Sequence, residues 1–288
     1  MAWIDLNADL GEADELGPSD VAVLDSISSA SIACGFHAGS PAVMRATSVA
    51  AAARGVAIGA HVSYRDRAGF GRRDLDVPAK QLLADIEEQI GLLRQVVESI
   101  GGATAGPLDE ATAGATTRPA AGPTAGAAEA IARPAAKVTY VKAHGALYNR
   151  MGRDPETASV VIEAVRRCDP PMMLLAQAGT DIVERGREAG LVVVGEAFCD
   201  RAYRPDGSLV PRHEPGAVIT DPDEVARRAV SLVLDGGIEA TDGYWLAIMA
   251  DSFCIHGDSP GAAESTRAAR AALIDAGVGI RAFAGGGP

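Results

Sequence analysis

Four of the five histidines stand in similar company: His37 in ACGFHAG, His61 in GAHVSY, His144 in VKAHGALYN and His256 in FCIHGDS. Each falls at the C-terminal edge of a short apolar or small-residue run. One histidine so placed is as readily a hydrogen-bonded structural residue as a functional one. Four of them on separate strands point to one converging site. Residues of equal parity share a face of a strand, so Tyr140, Lys142 and His144 align, as do Asn7 with Asp9, Ser252 with Cys254 and His256, and Glu196 with Phe198 and Asp200. This parity predicts one mouth shared by Asn7, Asp9, His37, His61, Lys142, His144, Asp200 and His256.

Such a set does acid/base chemistry: a carboxylate or neutral histidine activates water, and a protonated histidine or lysine supports developing negative charge. Imidazole and carboxylate also suit a divalent metal, although the spacing contains no H-E-x-x-H or H-x-H signature and leaves the metal unassigned. The segment SYRDRAGFGRRDLD reads as an active-site loop. Its Gly69 and Gly71 allow tight turns, and Arg67, Arg72 and Arg73 offer forks for carboxylate or phosphate. A solvated basic turn is the alternative. Cys254 shares the parity of His256 but reads better as a small core residue than as a nucleophile. There is no G-x-x-x-x-G-K-[ST] and no G-x-S-x-G, so neither a self-contained ATP site of that class nor a serine-hydrolase elbow is expected.

The elements that must position these residues alternate. Strands are predicted near 3–9, 31–36, 56–61, 138–144, 172–176, 191–198 and 244–254, with a run at 278–283 as a candidate for closing a barrel. Helices are predicted at about 41–54, 79–100, 155–167, 180–189, 222–235 and 260–276. Ser40-Pro41, Asp221-Pro222 and Ser259-Pro260 each place a capping side chain before a proline at the first helical position. Gly55, Gly190, Gly236 and Gly277 serve as stops. Polar residues end nearly every strand. That favours a TIM-like (β/α) barrel, seven-stranded or irregular, over an open sheet, which gathers its site at one switch point.

The chain's 288 residues suit one such barrel domain. Residues 102–136 interrupt it. They are rich in Ala, Gly, Thr and Pro, with Leu108 and Ile131 the only large apolar side chains, and read as a mobile insertion. A formal net charge of −12 argues against nucleic acid and against an acidic membrane surface. It does not exclude an acidic small molecule, since a few basic groups inside a pocket outweigh the mean field. Lys80, Lys137 and Lys142 are the only lysines, which gives Lys142 added weight. Four cysteines without a C-x-x-C pair and an N-terminus without signal-peptide character predict reduced thiols and a cytoplasmic protein.

Taken in order, LNADLGE, ACGFHAGSP, GAHVSYRDRAGFGRR, VKAHGALYN, EAFCDRAYRPDGSLVPR and CIHGDSP resemble the LamB/YcsF family of prokaryotic ATP-dependent 5-oxoprolinases, from Asp5 to about Pro260. Members often carry Pro where this chain has Val62, Arg65 and Ala143, and Asp where it has Ser40. The resemblance implies a barrel related to the glycoside hydrolase/deacetylase group. It also implies opening of 5-oxo-L-proline to L-glutamate with ATP, bound through a complex with subunits B and C. On that basis the expected catalytic set is Asp9, His61, Lys142, His144, Asp200 and His256, with Asp9 or a neutral histidine as base and Lys142 and His144 stabilising phosphate or oxyanion. The expected substrate contacts are Asn7, His37, Arg67, Arg72, Tyr148 and Arg201, with Arg67 or Arg201 on the substrate carboxylate. Two other readings compete: a metal-dependent deacetylase or carbohydrate hydrolase on the same barrel, and a non-catalytic regulatory subunit.

Overall fold

A computed structural model describes residues 2–101 and 136–284. The expected insertion, apart from Ala136, lies outside them. In chain order the elements are β1 (Trp3–Leu10), α1 (Pro18–Leu24), β2 (Ser29–Ala33), α2 (Pro41–Arg54), β3 (Ala57–Val62), α3 (Ala79–Gly101), β4 (Val138–Ala143), α4 (Gly145–Met151) and α5 (Pro155–Arg166). They continue with β5 (Met173–Gln177), α6 (Asp181–Glu188), β6 (Val193–Phe198), α7 (Pro222–Leu234), β7 (Gly237–Glu239), β8 (Trp245–Ala247), β9 (Ser252–Cys254), α8 (Ala262–Asp275) and β10 (Gly279–Ile280).

Seven parallel strands close on themselves in the order β1-β2-β3-β4-β5-β6-β9, with β9 pairing back onto β1 through Asp5↔Ser252, Leu6↔Phe253 and Asn7↔Cys254. The expected (β/α) barrel is therefore present with seven strands. The run at 278–283 does not close it. β10 pairs only with Trp3 and Ile4 at the start of β1, and beyond it Phe283 lies edge-on to Tyr140 at 5.0 Å. The predicted strand at 244–254 is two things. Its first half is one arm of the antiparallel β7-β8 hairpin, and only its last three residues join the barrel. β2 sits two residues before its expected start, because Ser29 and Ser31 face the barrel interior and read as turn residues.

Outward-facing strand residues such as Leu6, Leu10, Ile32, Ile58 and Val141 pack beneath the helices. On α3, Leu82, Ile86, Ile90, Leu93 and Val97 recur at helical spacing and form the buried face. Ser40 caps α2 by accepting from the Val43 N–H, and Asp221 caps α7 by accepting from the Asp223 N–H. The Ser259-Pro260 expectation fails: α8 begins later, after Gly261 in a left-handed conformation, and the Ser259 hydroxyl makes no hydrogen bond. The short helices α1 and α4 are too brief to give a periodic signal in the sequence. Among the described residues no helix is long and apolar enough to cross a membrane.

The barrel interior is polar where most barrels are aliphatic. Asp5 accepts hydrogen bonds from Ser28, Ser29 and Ser252, and its pKa is raised to about 6 because burial outweighs those hydroxyls. Tyr140 fills the floor across from Gly59, where an added Cβ would clash with the ring. Gly59→Ala is expected to cost at least about 3 kcal/mol by overpacking, and Gly59→Ala/Tyr140→Leu to recover most of it. Denaturant midpoints read this directly, and an unchanged midpoint for the single variant would remove Tyr140 as the reason for the glycine.

Candidate active site

Lys142, inward-facing on β4, sits near the centre of the mouth. Its Nζ lies 2.9 Å from Asp9 Oδ1, 2.8 Å from Glu196 Oε1, 3.4 Å from Asn7 Oδ1 and 3.3 Å from Cys254 Sγ. Burial alone would favour the neutral amine, but the Asp9 and Glu196 carboxylates outweigh it and hold the ammonium well above the usual lysine range. Asn7 donates to Glu196 at 2.9 Å and to Ser252 at 2.7 Å, and the Tyr148 hydroxyl donates to the other Glu196 oxygen at 2.8 Å. Glu196 is thus held by three donors. Burial works to raise the Asp9 carboxyl, and its contacts with His61 and Lys142 keep it well below the carboxylate range.

A second cluster adjoins the first. Gly11, at φ 73°, ends β1 and turns Glu12 back toward the barrel, where its Oε1 lies 3.2 Å from His37 Nε2, 3.2 Å from His144 Nδ1 and 3.7 Å from His61 Nε2. His61 Nε2 is also 3.0 Å from His144 Nδ1 and 3.3 Å from Asp9 Oδ2. The His37 and His144 rings stack at 3.9 Å. Burial pushes His37 down to about 4, partly offset by its bond to Glu12. Burial raises the Glu12 carboxyl, but the bonds from His144 and His37 hold it far below its ordinary value. Gly71, at φ 65°, brings the arginine loop onto these rings: a Cβ there would lie within 3 Å of His144 and His37.

On the opposite side His256 follows β9, and its Nδ1 lies 2.9 Å from Asp200 Oδ2, which also accepts the His256 backbone N–H. The imidazole stacks on Phe198 with centroids 5.2 Å apart. Since Asp200 binds Nδ1–H, Nε2 is left as the free lone pair of the neutral ring. Burial of Asp200 works against its charge and His256 outweighs it, lowering its pKa.

These groups open into a cleft of about 1290 Å³ lined by Asp9, His61, Lys142, His144, Tyr148, Arg72, Arg201 and His256. Asn7, His37 and Asp200 stand behind that wall, and Arg67 is not on it. The Arg67 guanidinium donates to the Gly39 carbonyl at 2.7 Å and ties the Gly35–Gly39 loop. Arg201 is buried and donates to the carbonyls of Ala217 and Val210, bracing the long loop after β6. Burial, together with Arg212 and Arg72 nearby, pushes its pKa down to about 10. Arg72 and Arg212 both reach Asp258. Arg201 stands beside them, and the cleft wall as a whole sets Arg72, Arg153, Arg201, Arg204, Arg212 and Lys142 against Asp9, Asp74, Asp181 and Asp206, an excess of positive charge that suits an anionic ligand.

The LamB/YcsF family model matches residues 4–105 and 123–286. Two curated relatives, from Mycobacterium avium and Streptomyces griseus subsp. griseus, are each 46% identical over 98% of this chain and 100% of their own length, and both are named as the A subunit of 5-oxoprolinase. The chain belongs to the LamB/YcsF family. A solved structure, the lactam utilization protein of Thermus thermophilus, superposes with a TM-score of 0.80 at 40% identity, covering 98% of this chain and 100% of that one.

Inward parity in this family member places Asp9, His61, Lys142, His144 and His256 in the cleft wall and misses some of their partners. Glu12 lies two residues past β1, where strand parity no longer applies, so the Glu12 of LNADLGE carries no face signal. Glu196 has the right parity, yet the candidate set takes Asp200 from that strand and omits it. Arg212 and His213 line the cleft from the long loop after β6, which has no periodicity to read.

Proposed function

We propose that this chain carries the ring-opening step of an ATP-dependent 5-oxoprolinase, converting 5-oxo-L-proline to L-glutamate with B and C subunits that supply most of the nucleotide chemistry. The observation that carries the reading is the convergence of three devices on one cleft: a permanently cationic Lys142, a carboxylate-oriented His256 with its Nε2 free, and the Arg72, Arg201 and Arg212 group. The names of the 46%-identical relatives support the substrate.

A five-membered lactam is a stabilised amide, and transfer of the ATP γ-phosphoryl group to its oxygen makes the ring carbon electrophilic. Water then adds to that carbon while His256 Nε2 takes its proton. Lys142 stabilises the charge on oxygen and phosphate. Breaking the C–N bond, with the proton delivered to nitrogen, leaves an acyl phosphate of glutamate. A second water releases phosphate and gives L-glutamate. The arginine group holds the substrate carboxylate or the phosphoryl oxygens. Asp9 has different work from the base role the sequence suggested. A carboxyl held so far below its usual range is a weak base, and its contacts make it the anchor of Lys142 and His61.

The test is glutamate release from 5-oxo-L-proline and ATP by this chain alone, by its B and C partners alone, and by the mixture. Glutamate from the full mixture alone is the expected result. None from a mixture whose B and C subunits are active with a related family member in place of this chain would overturn the reading.

A further inference from the structure

We infer that Glu12, His37, His61 and His144 form a binding site for a divalent transition-metal cation of the zinc class. The outer hydrogen bonds fix which nitrogen of each ring carries the proton. His144 Nε2 faces the Phe70 carbonyl at 2.9 Å and must donate to it, so Nδ1 is the lone pair. His61 Nδ1 faces the Lys142 carbonyl at 3.3 Å, so Nε2 is the lone pair. The Ser63 hydroxyl donates to the Tyr64 carbonyl and therefore accepts from His37 Nδ1–H, again leaving Nε2 bare. With the rings neutral, three imidazole nitrogens and a carboxylate oxygen thus lie within 4.8 Å of one another, where a cation would displace the protons that otherwise bond His37 and His144 to Glu12, one of the two stacked rings turning to aim its lone pair at the ion.

Their spacing matches a coordination shell. The separations of 3.0 Å (His61 to His144), 3.2 Å (Glu12 to His37 and to His144) and 3.7 Å (Glu12 to His61) bracket the edge of about 3.3 Å expected for a tetrahedron with bonds of about 2.0–2.1 Å. Each histidine has the outer acceptor that metal-bound imidazole uses to fix its tautomer. Four protein donors complete the shell, so the cation holds the ends of β1, β2, β3 and β4 together beside Asp9 rather than activating water. The other donor group among the described residues, Asp9, Cys254 and His256, is a poorer candidate. The Lys142 ammonium already lies 2.9 Å from Asp9 and 3.3 Å from the Cys254 sulfur, and a second cation there would meet its repulsion. The alternative occupant of the four-donor site is a proton shared between His61 and His144.

The inference is independent of the ring-opening reading, because its readouts need no substrate. Full-length protein without an affinity tag, expressed with zinc in the medium, is analysed for metal. It is then stripped with chelator and titrated with Co²⁺. About one equivalent of metal per chain is expected, with visible absorption of tetrahedral intensity from Co²⁺ that Zn²⁺ displaces, and a lower Tm for the stripped protein. Glu12→Gln and His37→Gln should weaken uptake at least tenfold. Ser63→Ala keeps all four ligands, guards against a misfolded ligand variant, and should weaken it about tenfold. Cys254→Ser should leave it unchanged. Folded, stripped protein that takes up no stoichiometric Co²⁺ would overturn the site and leave the shared proton. So would uptake insensitive to Glu12 and His37, or uptake lost with Cys254.

Discussion

Lys142→Met is expected to lower kcat for glutamate formation by about a thousandfold and to destabilise the chain by about 3–5 kcal/mol. Both effects have one origin. The Lys142 ammonium lies between Asp9 and Glu196, each within 3 Å and each buried. Removing it takes the one ammonium from the barrel mouth and leaves two buried carboxylates without the cation between them. The two consequences separate in Lys142→Met/Glu196→Gln, which removes one of the stranded charges. That variant should regain much of the lost stability and none of the activity. Activity that returned with stability would make Lys142 a structural post and move oxyanion support to the arginines.

Legibility in the sequence followed the regularity of the backbone. Strand parity carried Asn7, Asp9, Lys142 and His144 because β1 and β4 are continuous, and caps such as Ser40 and Asp221 declared their helices through side chains that bond locally. The signal failed where the chain leaves a strand. Glu12 reaches its three histidines through the turn at Gly11, and Arg67, in the same loop as Arg72 and equally basic, binds the Gly39 carbonyl instead of facing the cleft. The polar interior also misled: Ser29 and Ser31 belong to a strand whose inner face serves Asp5 and Tyr140, an arrangement visible only once the barrel closes. Hydrophobicity misplaced β9 as well, because the apolar run before it forms the hairpin arm β8, whose Trp245 is half exposed.

His256→Asn is expected to reduce kcat by about 10²–10⁴-fold while changing stability by no more than about 1 kcal/mol. Asparagine presents an amide N–H where the imidazole has Nδ1–H, so the bond to buried Asp200 survives, and only the cleft-facing Nε2 is lost. Alanine would confuse the result by leaving the Asp200 carboxylate with the backbone N–H of residue 256 as its remaining donor from this segment. Asp200→Asn is the converse experiment. It keeps Nε2 but removes the charge that orients the ring, and should also slow turnover while substrate KM changes little. Activity within tenfold of the parent in His256→Asn would take the base role away from this dyad and return it to His61 or Asp9. The Asp9 carboxyl, held well below its usual range by its contacts with His61 and Lys142, makes that outcome the harder one to reconcile with the geometry.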